Sequence, residues 1–337
     1  MAFTNGQNVQ ANDLNNLSIT SLTTTADVTV GDDLVVTDDA SVGGDLSVTG
    51  ALTVGGQAVG VPRNTVCGRL SLTTGTAVTT ADVTAATTLY WALYLGNHIA
   101  LYNGTSWQLF AIAQLSIAVP ATTNTGYDVF VDYNSGTPAL AVTAWSSLTA
   151  RATALTTQDG VLVLTGTPGK RYVGSFRTTG VSGQTEDSVT KRYVWNYYNR
   201  VPRKLQRLET TASWTYTTAT VRQANGAAAN QVETFVGVAE VEIDVSLNAQ
   251  GVNDAGNSVS FGIGEGSTTT FTEGAAGHNR GTNLQSVFSR LLKYPAIGYQ
   301  FWSWNEWSQA AGGTSTFYGT ESRGDTISFG LRGTIDG

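Results

Sequence analysis

Residues 21–56 read SLTTTADVTVGD (Ser21–Asp32), DLVVTDDASVGG (Asp33–Gly44) and DLSVTGALTVGG (Asp45–Gly56), three successive copies of one 12-residue unit. Leu stands at the second place of each unit, Thr at the fifth, Val at the tenth and Gly at the eleventh. Self-similarity at a fixed period marks a stacked or fibrous architecture. Each unit offers only about three large apolar side chains, too few for one chain to bury a core from them. The repeats therefore predict an intertwined, homo-oligomeric shaft whose core is closed by other copies.

Composition extends this reading. Charged residues make up 13% of the 337, about half of the ~25% usual in globular chains. Thr, Ser, Ala and Gly take their place, with 38 Gly and 13 Tyr. Thr, Val and Tyr favour strands and Gly favours turns and bulges, so the whole chain reads as all-β. No Lys or Arg precedes Arg63, whereas seven Asp do (Asp13, Asp27, Asp32, Asp33, Asp38, Asp39 and Asp45). That stretch accounts for the whole formal charge of −7. An acidic shaft repels nucleic acid, whose binding needs clustered Lys and Arg. Neither a secretory leader nor an 18-residue apolar run is found, so no membrane insertion is expected. The single cysteine, Cys67, rules out an internal disulfide framework and reads as a buried small hydrophobe.

After an Asn-rich opening (residues 1–20) and the repeats (21–60), residues 61–207 hold short, turn-bounded strands. LYWALYL (Leu89–Leu95), IALY (Ile99–Tyr102), WQLFAI (Trp107–Ile112) and YDVFVDY (Tyr127–Tyr133) are the clearest. Asn103-Gly104 between the second and third is a hairpin signal. Six of the 18 basic residues cluster between Lys191 and Arg207, where they are expected to pair with acidic groups at a domain junction; Pro202 should end any strand there. In residues 208–337, VETFVGVAEVEIDVSL (Val232–Leu247) alternates as one long strand, with Val259–Ile263 as its hairpin partner. Leu284, Val287, Phe288, Leu291 and Leu292 have helical spacing, with a strand also open. Spacing and turns suggest two small β-sandwich or barrel domains, the last jelly-roll-like.

Catalytic signals are weak. His98 and His278 stand far apart, Cys67 adds little to a metal site, and no GxSxG elbow occurs. Glu306, Glu321 and Asp325 are the carboxylates that a glycosidase reading would use. Gly262-Ile263-Gly264-Glu265-Gly266 lacks the Lys-Ser/Thr of a phosphate loop and reads as a strand-end turn. Asp32-Asp33 and Asp38-Asp39 are solvated turns before they are Ca²⁺ ligands. No enzyme activity, cofactor or metal is expected. Aromatic residues carry the strongest functional signal: Tyr299, Trp302, Trp304, Trp307 and Tyr318 are candidates for receptor contact, because flat aromatic faces suit sugars and proteins. Core packing is the competing use for the same side chains.

The ladder SLTTTADVTVGDDLVVTDDASVGGDLSVTGALTVGG resembles the repetitive collar of trimeric tailed-bacteriophage fibres and spikes. MAFTNGQNVQANDLNNL is similar to their virion-attachment ends, and SLTTGTAVTTADVTAATTLYWALYLGNHIALYNGTSWQLF with EDSVTKRYVWNYYNRVPR resembles a module of phage structural proteins. WSWNEWSQAAGGTSTFYG with GDTISFGLRGTIDG resembles their small β-sandwich tips. The resemblance implies a homotrimer on the virion exterior. Its N-terminus, through Phe3, Val9, Leu14 and Leu17, would join other virion structural proteins, and its C-terminal head would meet a host-surface glycan or protein. A head fibre or capsid decoration protein is the alternative, and a polysaccharide-degrading tailspike is a third reading.

Overall fold

The computed structural model describes residues 60–272, 276–309, 312–320 and 328–337, with the two-residue strands Thr53–Val54 and Gln57–Ala58. Phe3, Val9, Leu14, Leu17, the paired aspartates of the repeats, Glu321 and Asp325 lie outside the described residues. Two compact units divide the chain, Met1–Val59 and Gly60–Gly337. In the first, Thr53–Val54 pairs antiparallel with Gln57–Ala58.

The second unit is all-β, as composition led us to expect; two short 3-10 turns, Asn134–Gly136 and Ala224–Gly226, interrupt its strands. Its three largest sheets have eight, seven and six strands. The Asn103-Gly104 hairpin forms between His98–Tyr102 and Trp107–Ala111. The Asn103 carboxamide oxygen accepts the N–H groups of Thr105 and Ser106, both at 2.8 Å, and Gly104 takes the positive φ (+101°) that the turn requires.

Two large apolar clusters fill the unit. One runs from Cys67 to Val194 and the other from Leu205 to Ile335. A smaller cluster packs Phe130, Tyr172 and Trp195 against Val238 and Val241, so apolar contacts as well as sheets run across 207/208. The eight-stranded sheet joins Val83–Ala86 and Thr185–Asp187 to Gln231–Val236, Ser258–Glu265 and Gly298–Ser308. The link is the parallel pair Lys191–Arg192 with Gln231–Val236.

The basic cluster supplies ion pairs at this link. Asp187 accepts from Arg192 at 3.1 Å and from Arg203 at 2.7 Å, Lys191 pairs with Glu186 at 3.2 Å, and Arg200 pairs with Glu240. Pro202 opens the strand Pro202–Leu208 instead of ending one. A first position suits a residue with no N–H to give the ladder.

The long strand expected over Val232–Leu247 is two strands in two sheets. Gln231–Val236 belongs to the eight-stranded sheet and Ile243–Asn253 to the six-stranded one. The crossing starts at Gly237, where a Cβ would collide with the Tyr172 hydroxyl and the Trp195 ring, and where Arg151 donates to the Gly237 carbonyl at 2.7 Å. Ser258–Glu265 is correspondingly not the hairpin partner of the preceding strand. It returns to the eight-stranded sheet and pairs with Gly298–Ser308 and Ala276–Arg280. The helical spacing over Leu284–Tyr294 resolves as a strand, Gln285–Lys293, paired with Ile243–Asn253 over nine positions.

Candidate recognition face

Gly298–Ser308 is the longest aromatic-bearing strand of the eight-stranded sheet, and it sits inside that sheet. Gln231–Val236 lies on one side, with Glu233 opposite Phe301 and Phe235 opposite Tyr299. Ser258–Glu265 lies on the other, with Ser260 opposite Trp307. Strand alternation therefore splits the aromatic run into two faces. Trp302 and Trp304 point into the core and are fully buried; Trp304 meets Trp214 edge-on at 5.8 Å. This corrects the assignment of both to a receptor surface: as interior members of the alternation they present no ring face outward. Tyr299, Phe301 and Trp307 occupy the opposite face and are half-buried. Tyr318 belongs to another sheet, on Ser315–Tyr318 opposite Ser213 and Gln250, and packs half-buried against the core.

Between the aromatic residues the outward face is polar. Ser303 and Asn305 are covered by the segment that follows Gly264. Ser303 donates to the Ser267 carbonyl at 2.7 Å, and Asn305 donates to the carbonyls of Ser267 (3.0 Å) and Thr270 (2.7 Å). Gly264 lets this segment approach, since a Cβ there would collide with the Ser267 carbonyl. Gly266, at φ +61°, turns the chain just past the end of Ser258–Glu265, whereas Gly262 and Gly264, also read as part of a turn, are paired within that strand.

At the Tyr299 end the guanidinium of Arg177 lies 4.4 Å from the Tyr299 ring centre and 4.7 Å from that of Tyr193. The Tyr193 hydroxyl donates to the Glu233 carboxylate. Burial, reinforced by the Glu233 charge, pushes the Tyr193 and Tyr299 hydroxyls far above the usual phenol range, so both stay protonated. Next to Glu233 opens a cleft of about 460 Å³ lined by Thr190, Lys191, Arg207, Gln231 and Glu233 over Ala228 and Ala229. Gln231 donates to Glu233 at 2.9 Å, and Arg207 donates through Nε to Asn230 at 3.2 Å. Aromatic rings beside amide, guanidinium and carboxylate groups can bind a polar ligand without covalent chemistry.

Glu306 lies on the other face, sealed in the core. Its carboxylate accepts from Trp214 Nε1 at 2.7 Å, Arg222 Nε at 2.8 Å and the Asn225 N–H at 3.2 Å. Burial raises it to about 7, against the pull of Trp214 and Arg222. His98 and His278 are both exposed, on separate sheets, and Cys67 is buried, which pushes its thiol up. Among the described residues no cluster of His, Cys, Asp and Glu could hold a metal ion, and no helix is long and apolar enough to cross a membrane.

Tyr299 and Trp307 thus share one face, while Trp302, Trp304 and Tyr318 do not join them. Arg177, Gln231 and Glu233 were not singled out from the sequence, and Arg207 was read only as a member of the basic cluster. Glu233 could have been found by strand alternation alone, because Gln231 and Glu233 share a face; Arg177, on the distant strand Thr167–Arg177, left no such signal.

No protein-family model matches the chain, and no curated protein does. Among solved structures, a Bacillus thuringiensis Cry1Da tryptic core variant aligns at 7% identity and a TM-score of 0.15, over 70% of this chain. The alignment spans about half of that structure (48%), and a likeness this low carries no argument about fold or function.

Proposed function

We propose that the chain is a homotrimeric fibre of a tailed-phage virion. Residues 1–20 anchor it to other virion structural proteins, the 12-residue repeats form an intertwined trimeric shaft, and the β-rich remainder is the displayed head with a jelly-roll-like tip. The observation that carries this reading is the repeat: three units of fixed period, without a single Lys or Arg, lead directly into an all-β unit. The outward row Tyr299, Phe301 and Trp307, with the adjoining cleft, supports recognition of a host-surface glycan or protein. Three heads on one stalk convert weak single contacts into useful avidity.

Binding of the purified full chain to cells of the host tests the recognition role. Wild type is expected to bind, and Trp307→Ala is expected to weaken binding at least about tenfold, the loss of a ~1.4 kcal/mol contact. Absence of wild-type binding would leave a capsid decoration protein of the same build. Release of reducing ends from host polysaccharide would instead establish a spike that degrades its receptor.

A further inference from the structure

Strand Gln285–Lys293 is apolar on both faces. Val287 and Leu291 point inward and pack against the core. Phe288, Leu292 and the following Tyr294 point outward and are 67%, 52% and 59% exposed. Side chains four residues apart on each face produced the helical spacing. A strand that is apolar on both faces is built to be covered on both. Among the described strands its one hydrogen-bonded neighbour is Ile243–Asn253, and none pairs with its other edge. Proteins ordinarily protect such an edge by charge, proline or a covering element. Here the outward charge is cancelled: Arg290, between Phe288 and Leu292, holds Asp244 through two hydrogen bonds of 2.9 and 2.8 Å. The flanking outward residues, Ser246 opposite Arg290 and Asn248 opposite Phe288, are uncharged.

We propose that this strip is a contact between copies of the chain, with Phe288, Leu292 and Tyr294 of one copy packed beside the same residues of the next. The inference rests on the homo-oligomeric reading of the repeats, which names the occupant. Copies joined through residues 21–56 hold their heads at high effective concentration, so a narrow strip is sufficient. With Arg290 paired to Asp244 the strip has no net charge, which suits a second identical strip. The recognition row lies on a different sheet and stays available.

The test labels the full chain with pyrene maleimide at Phe288→Cys or, separately, at Leu292→Cys. Both sites are exposed within the chain, and Cys67 is buried and serves as the unlabelled background. Excimer emission is expected at both positions and not at Val181→Cys, an exposed apolar site off this strand. Adding Leu292→Lys to the Phe288→Cys protein should reduce the excimer signal several-fold. Monomer emission alone at positions 288 and 292, in a protein that light scattering shows to be oligomeric, would overturn the strip contact and leave the fibre reading standing. A monomeric chain would overturn both.

Discussion

Gly298–Ser308 and Gln285–Lys293 are close in sequence, and both carry large apolar side chains on two faces. They differ in position. The first is flanked on both sides within its sheet; the segment after Gly264 covers its Ser303 and Asn305, and its Tyr299, Phe301 and Trp307 are half-buried. The second is an edge among the described strands, and its outward Phe288 and Leu292 are exposed. The same two-faced pattern therefore yields a half-buried aromatic face in one place and an exposed apolar face in the other. What decides between them is the number of neighbours.

Three substitutions sharpen this contrast. Trp304→Ala, on the inward face of the central strand, should cost most: about 3–5 kcal/mol in urea denaturation, because the cavity it leaves between Trp214 and the sheet cannot collapse fully. A loss below about 1 kcal/mol would mean that the inward face is not the core. Glu306→Gln, on the same face, should act through pH. The carboxyl ordinarily titrates near 4.5 and is held at about 7 in the fold. Below pH 4.5 it is protonated in both states. Between 4.5 and 7 the unfolded chain ionises first, so stability falls as pH rises, and above 7 the loss is complete. Wild type should lose up to about 3 kcal/mol across that window relative to the glutamine variant, read from paired denaturation curves. Parallel curves would show that Glu306 is ionised in the fold throughout.

Leu292→Lys should have the smallest effect, within about 1 kcal/mol by the same denaturation, since the contacts it removes belong to another copy. A loss as large as that of Trp304→Ala would place the outer face of Gln285–Lys293 inside its own chain.

Strand content and the Asn103-Gly104 hairpin were legible in the sequence because each is encoded locally. The crossings between sheets were not. Alternation continues through Val232–Leu247 although the chain changes sheet after Gly237, since period two reports which face is buried and is silent on the neighbour. The same limit applies to the aromatic run. Its enrichment was visible, but the division into inward Trp302 and Trp304 and outward Tyr299 and Trp307 required the core face to be known. Glu306 continues the inward series of Trp302 and Trp304, and its partners Trp214, Arg222 and Asn225 lie about 80 to 90 positions away in sequence, beyond any local pattern.

On this reading the repeats need other copies to close their core. Light scattering of the purified full chain across a dilution series tests this directly. A single species of three times 35.4 kDa that persists on dilution is expected. A species of 35.4 kDa with its repeats protected from hydrogen exchange would contradict it.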